Sequence, residues 1–230
     1  MKYFAYGSNC NPAIMAEKGV EFTSRSPGTL RGYRLWFNKK AFREQLPDGI
    51  GFANIHADPA GTVEGLVYEI VDHHLSRLDE SERYPAHYTR IRGAIETKSG
   101  REECQAYQAQ PDKTADGLVP SRNYLNHILA GEDFLSRQYY EALDQSPTYT
   151  SQCACCDSHG DVLFLFEAER SYTLCPPCRE AQTVWGDTRG RKLTVAETSA
   201  VMVHVTQSDE NYPSVQALIE AVVERRIIDP

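Results

Sequence analysis

The sequence predicts an α+β protein, a sheet-rich first domain completed by helices and followed by a small metal-binding module. Three features predict it. Up to about residue 110, short apolar runs are bounded by Gly, Pro or Asp, the pattern of strands. From about 120 to 143 the apolar period becomes helical. Beyond that, Cys153, Cys155, Cys156, Cys175 and Cys178 crowd into one stretch, while Cys10 and Cys104 stand alone.

In chain order, residues 2–6, 33–38, 51–56 and 63–70 read as strands. The segment "VDHHLSRLDESER" interrupts them as a short helix, with Asp72 placed to cap it and Leu75 and Leu78 at i, i+3 on one face. "HYTRIRGAIET" and "REECQAYQAQ" flank Lys98-Ser99-Gly100 as the arms of a hairpin. Tyr124, Leu125, Ile128 and Leu129 then form one helical stripe, Gly131 breaks it, and a second helix runs to about Leu143. In "DQSPTYTSQ" the composition turns polar, which places a boundary near 147 and divides the chain into a first domain, 1–147, and a module, 148–230. Within the module "DVLFLFEAE" is strand-like and lies between the two cysteine pairs, and "LTVAETSAVMVHVTQ" follows them. The chain ends in a helix whose Val215, Leu218, Ile219, Val222 and Val223 share a face. Core packing is the expected use of that face, and a partner groove the alternative. The sequence shows no internal repeat and no low-complexity tract.

At 230 residues and 41% hydrophobic, the chain can bury one full core plus an appendage. A formal net charge of −8 argues against a dedicated nucleic-acid binder or a basic membrane-surface protein, both of which need clustered Lys and Arg. No apolar run approaches the roughly 18 residues of a membrane span, and the opening residues lack the apolar core of a secretory signal. The expectation is a soluble, cytoplasmic protein whose partners are small molecules or proteins.

In a reducing compartment, crowded cysteines point to metal rather than disulfides. Cys153-x2-Cys156 and Cys175-x2-Cys178, eighteen residues apart, have the spacing of a four-cysteine zinc site in which each pair forms a knuckle. Four thiolates leave no open coordination position, so the zinc is expected to be structural, holding together a module too small for its own core. Cys155 is left over inside the first knuckle, and His159 could replace one thiolate. A redox reading of "CPPC" needs a βαβ context that is not apparent. In spacing the stretch is similar to B-box and treble-clef modules, which implies docking of a protein partner or self-association.

The candidate chemistry lies at the start. In "YFAYGSNCNP" a strand runs into a glycine turn, which leaves successive backbone N–H groups as a nest for an anion or an oxyanion. Gly-Ser-Asn also builds ordinary turns. What adds weight is the ordered set "YFAYGSN" at 3–9, "EGLVYEI" at 64–70, "LDESE" at 78–82, "CQAY" at 104–107 and "PSRNYL" at 120–125, which resembles the γ-glutamylcyclotransferase family over about residues 1 to 145. The resemblance implies a small mixed β-barrel with flanking helices. It also implies conversion of a small γ-glutamyl amine or peptide into 5-oxoproline and the free amine, without an organic cofactor.

In that reaction the substrate's own α-amine closes a five-membered ring on its γ-carbonyl, so proximity is built into the substrate and the enzyme moves protons. By the resemblance, the last residue of the Leu-Asp-Glu-x-Glu block, Glu82, is the general acid and base. Glu80 would point about 200° away around a helix and is expected in solvent. Tyr6, Gly7, Ser8 and Asn9 are then implied as the donors for the substrate carboxylate or oxyanion, with Tyr88, Tyr107 and Tyr124 lining the pocket. Arg83 is adjacent and could pair with a substrate carboxylate. Two departures stand out: position 10 is Cys where the family usually has Leu or Met, and nothing beyond about 147 has a counterpart in the minimal fold. Cys10 opens a rival reading, an amidase or acyltransferase thiolate activated by His56 or His87, against a buried apolar thiol filling the Leu slot. A further reading is a non-catalytic γ-glutamyl-ligand binding protein with a zinc docking module.

Overall fold

A computed structural model describes residues 1–42, 46–156, 158–167, 170–189, 193–207 and 215–224. The chain divides into two compact units, Met1–Thr148 and Tyr149–Pro230.

The first unit is a closed five-stranded barrel. Its strands are β1 (Lys2–Ala5), β2 (Phe22–Lys40), β3 (Gly51–Ile70), β4 (Tyr88–Thr97) and β5 (Gly100–Ala109), in the order β1-β3-β2-β4-β5. Neighbours are antiparallel except where the barrel closes: β1 meets β5 in parallel at Tyr3 and Gln105, so the sheet is mixed. Phe4, Val67 and Ile95 come together around Gly28 on one face of the sheet, while Leu66 and Tyr68 lie on the other; Phe4, Leu66, Tyr68 and Ile95 are fully buried. Four short helices flank the barrel: α1 (Pro12–Glu17), α2 (Leu75–Ser81), α3 (Arg122–Leu129) and α4 (Arg137–Asp144). Three of them start on side-chain caps, with Asn11, Ser121 and Ser136 accepting from the N–H of Ala13, Tyr124 and Tyr139. In α3 the expected stripe is the buried one, through Leu125, Ile128 and Leu129. The fold is thus the α+β barrel with flanking helices that the resemblance implies.

The strands differ from expectation in length. The runs at 33–38, 51–56 and 63–70 are parts of two ribbons, β2 and β3, paired along nearly their whole length. Pro27-Gly28 and "ADPAGT" look like breaks but lie inside strands: Pro27 and Gly28 keep regular register with Leu66 and Gly65, and the 58–61 segment is absorbed by the register shift between Arg31 and Tyr33. Gly65 is required by close approach: a Cβ there would lie 2.2 Å from the Ala5 carbonyl oxygen. Asp72 does not cap α2. It accepts from the Met1 ammonium at 2.9 Å and begins a 3-10 turn ahead of the helix.

The second unit has two small hairpins, β6 (Thr150–Gln152) with β7 (His159–Asp161) and β8 (Leu163–Glu167) with β9 (Arg170–Leu174), followed by α5 (Pro176–Arg189), α6 (Val195–Gln207) and α7 (Val215–Glu224). The strand-like "DVLFLFEAE" therefore spans the end of one hairpin and the first arm of the next; residues 168 and 169 lie outside the described residues. The segment "LTVAETSAVMVHVTQ" is largely helix α6. In α7, Val222 is fully buried, while the side chains of Val215, Leu218 and Ile219 lie outside the described ones. Among the described residues, no helix is long and apolar enough to cross a membrane.

Candidate active site

Strand β1 ends at Ala5, and the chain turns through a 3-10 segment, Ser8–Cys10, beneath one end of the barrel. The turn leaves fewer free donors than its sequence implies. Cys10 and Asn11 donate their N–H groups to Gly7 and Ser8 carbonyls at 2.9 and 3.0 Å, and the Ser8 N–H is directed at the Tyr124 oxygen. Gly7 keeps the wall open, since a Cβ would stand 3.2 Å from the Tyr124 hydroxyl and 3.3 Å from Ala53 Cβ.

This turn forms one side of a narrow cleft of about 30 Å³ that brings Tyr6, Gly7, Ser8, Asn9, Glu82, Tyr88, Tyr107 and Tyr124 together with Tyr3 and Ala53. Glu82 is not within α2: the helix ends at Ser81, and Glu82 is its C-cap residue. From that position it faces the cleft, while Glu80 lines a separate hollow with Lys18, Arg77 and Ser81. The Glu82 side chain is 18% exposed rather than sealed. Its Oε1 accepts from Asn9 Nδ2 at 3.2 Å and from Lys18 Nζ at 3.1 Å. Asn9 is the hub: Nδ2 also donates to the Tyr3 hydroxyl at 2.7 Å, Oδ1 accepts from Lys18 Nζ at 2.7 Å, and its carbonyl accepts from Tyr68 at 2.9 Å.

The tyrosines form walls whose hydroxyls are held by the scaffold. Tyr6 donates to the Tyr107 carbonyl, Tyr107 to Asp79 Oδ1 at 2.8 Å, and Tyr88 to the Ala53 carbonyl at 3.1 Å, while Tyr124 accepts from the Ala53 N–H at 3.1 Å. Burial pushes Tyr3, Tyr6, Tyr88, Tyr107 and Tyr124 well above the usual phenol range, and the Glu82 charge adds to each shift. Among the described residues that line the cleft, Glu82 carries the one carboxylate. Sequence reasoning missed Tyr3, Lys18 and Asp79. Asp79 stood inside the quoted "LDESE" block, but Lys18 ends a different helix and has no local signal.

Cys10 belongs to the core. Its fully buried Sγ donates to the Ala5 carbonyl at 3.4 Å, and burial pushes the thiol up to about 12. His56 Nε2 is engaged by Asn38 and Asn54 at 2.9 Å, and His87 packs edge-on to Phe42. This is the geometry of an apolar filler, not of an activated nucleophile. Arg83 stacks its guanidinium on Phe42, 4.3 Å from the ring centroid.

In the second unit Cys153, Cys156, Cys175 and Cys178 bring their sulfurs within 4.8 Å of one another. Cys156 and Cys175 sulfurs are 3.6 Å apart, close to the roughly 3.8 Å edge of a tetrahedron with metal–sulfur bonds of about 2.3 Å. The Cys155 N–H points at Cys153 Sγ at 3.4 Å, which is knuckle geometry. Cys155 itself stands outside the four, with its Sγ 3.6 Å from the Val195 carbonyl oxygen, and His159 is exposed on β7. The four sulfurs therefore fit a metal.

The profile of the family described as "Gamma-glutamyl cyclotransferase, AIG2-like" matches residues 3–126. The chain belongs to this family. Its membership makes it an enzyme of the γ-glutamyl cyclotransferase kind, and the matched residues include every wall of the cleft. The Bos taurus protein named Gamma-glutamylcyclotransferase is 27% identical over 146 residues, 62% of this chain and 76% of its own length. Among solved structures, an uncharacterized Homo sapiens protein is similar with a TM-score of 0.55 and 27% identity, over 66% of this chain and 91% of that one. YkqA from Bacillus subtilis, at 23% identity and a TM-score of 0.55, shares the fold over 65% of this chain and 56% of its own. The four-cysteine cluster lies beyond the family match.

Proposed function

We propose that the chain releases 5-oxoproline and a free amine from a small γ-glutamyl amine or peptide, with Glu82 as general base and then general acid. The observation that carries this reading is the Glu82 carboxylate, fixed by Asn9 and Lys18 at the edge of the tyrosine-walled cleft. The Glu82 carboxylate takes a proton from the substrate α-ammonium, and the freed nitrogen pair attacks the γ-carbonyl carbon. The carbonyl oxygen becomes an oxyanion beside the Gly7 turn. When it collapses, the bond to the departing nitrogen breaks, and Glu82 returns its proton there. The ring nitrogen still carries one excess proton, which reaches the departing amine by the same carboxylate or through water. Two protons thus pass from the α-nitrogen to the leaving amine, and Glu82 ends as it began.

Lys18 and Asn9 act as positioning residues: they hold one carboxylate oxygen and leave the other for the substrate. In the second unit, Cys153, Cys156, Cys175 and Cys178 would hold a structural zinc, which supplies folding energy and no step of the reaction. The module would then serve docking or self-association. The test of the cleft is 5-oxoproline release from a panel of γ-glutamyl amines by wild type and Glu82→Gln. Indifference to the substitution refutes the assignment.

A further inference from the structure

Glu82 stands at the head of the turn 82–86, one residue beyond α2. A helix of seven residues is too short to hold a direction on its own. The next residue, Arg83, has already left the helical path with a φ of 50°. Asn9 and Lys18 hold one oxygen of the carboxylate, the tip of a side chain with rotatable bonds. The backbone beneath it is fixed elsewhere, at Asp79.

Asp79 lies one helical turn before Glu82 and does not line the cleft. Its carbonyl accepts from the Tyr84 N–H at 2.8 Å, which closes residues 79–84 into a loop with Glu82 inside it. Its carboxylate Oδ1 accepts from the Tyr107 hydroxyl at 2.8 Å and lies 3.5 Å from Arg90 Nε. Arg90 on β4 and Tyr107 on β5 are cross-strand partners, so one rung of the barrel meets one carboxylate. The Arg90 guanidinium also lies over the Tyr84 ring, 4.5 Å from its centroid. Both ends of the 79–84 loop are thereby tied to the same rung. Tyr107 is a wall of the cleft, and its carbonyl accepts from the Tyr6 hydroxyl. The rung that holds the loop carrying Glu82 is thus also part of the surface that Glu82 faces. Asp79 and Arg90 are partly exposed, at 23% and 33%, and a pair of that kind adds little to stability. Its effect lies in where it places the loop.

We propose that Asp79 is a positioning residue of the cyclisation: through Tyr107 and Arg90 it clamps the loop that carries Glu82 at the distance the proton transfers need. This rests on the cyclotransferase reading of the Glu82 cleft.

The test is steady-state 5-oxoproline release from γ-glutamylglycine, or from the member of the γ-glutamyl amine panel that wild type turns over fastest. Asp79→Ala should lower kcat by roughly 10- to 100-fold and leave KM within about threefold, because the Gly7 turn and the tyrosine walls stay in place. Asp79→Asn, which keeps an acceptor for the Tyr107 hydroxyl, should recover most of that loss. Tyr107→Phe breaks the same tie from the other side. It should lower kcat with KM likewise held, and it serves if Asp79→Ala does not fold. The double variant Asp79→Ala/Tyr107→Phe should match Asp79→Ala within about twofold, since both changes remove one bond. An unchanged kcat in either single variant, no recovery in Asp79→Asn, or losses that multiply in the double variant overturns the clamp while Glu82-dependent release stands. Absence of Glu82-dependent release from every panel member overturns the cyclotransferase reading, and the clamp with it.

Discussion

The barrel unit and the C-terminal unit are ordered by different means. In the barrel, β2 and β3 pair over about twenty residues each, and buried side chains from both faces of the sheet join one continuous core that includes Phe4, Ile55, Leu66 and Tyr68. The C-terminal unit has strands of three to five residues and a small cluster in which Cys153, Cys155 and Cys178 pack with Leu174. This unit gathers four sulfurs and also buries Val162, Trp185, Leu193 and Val222. On the proposed reading, a metal held by the four sulfurs adds to the stability of this unit beyond packing.

The largest expected effect separates the two. Chelation of the full chain should unfold the C-terminal unit while the barrel persists. The two tryptophans report on this independently, because Trp36 is 51% exposed in β2 and Trp185 is fully buried in α5. In a Trp36→Phe background, chelator should red-shift the Trp185 emission, and added zinc should restore it. An unchanged Trp185 signal would show that the unit is held by packing after all.

Next in size, Leu66→Ala should cost the barrel unit about 2–5 kcal/mol through a cavity where the sheet packs on Gly131 and Cys10. Urea unfolding followed at the barrel should shift, while the Trp185 transition stays in place.

The buried Lys39 gives a smaller, pH-dependent effect. The folded chain releases this proton near 8 and the unfolded chain near 10.5, so the unfolded state binds more protons between those values and stability rises with pH there. Below about 8 the charged lysine should cost on the order of 1–3 kcal/mol. Lys39→Met should flatten the rise between pH 8 and 10 and raise the midpoint at pH 7. An identical pH profile in the variant would mean that Lys39 finds a counter-charge.

The smallest effect is expected at Cys10. Cys10→Ala should leave 5-oxoproline release within about threefold of wild type and cost about 1 kcal/mol of stability. Abolished turnover with an intact fold would revive a thiolate mechanism.

The same contrast governs how much of the molecule is legible in its sequence. The cleft residues could be placed because "YGSN" and "LDESE" are compact blocks, each carrying its chemistry within a few positions. The long ribbons were obscured by Pro27 and Gly28, which the ladder carries in regular register, and by the region from Asp58 to Gly61, which a bulge accommodates. Lys18 was invisible because its pairing with Glu82 joins the end of α1 to the end of α2, a contact created by the barrel. Glu82 was expected to face the pocket from within a helix, with Glu80 turned away; it lines the cleft from the C-cap position, one residue past the end of α2. In the C-terminal unit the cysteine spacing spoke clearly and the helices did not: α5 begins at Pro176-Pro177 within the second cysteine pair, a sequence that reads first as a turn.

The central claim is that Glu82 moves the protons of cyclisation. Single-turnover release of 5-oxoproline from γ-glutamylglycine, compared between wild type and Glu82→Gln, tests it most directly, with thermal unfolding as the control for folding. The expected result is a fall of roughly 10²–10⁴-fold in rate at unchanged midpoint. Equal rates in the two proteins would contradict it.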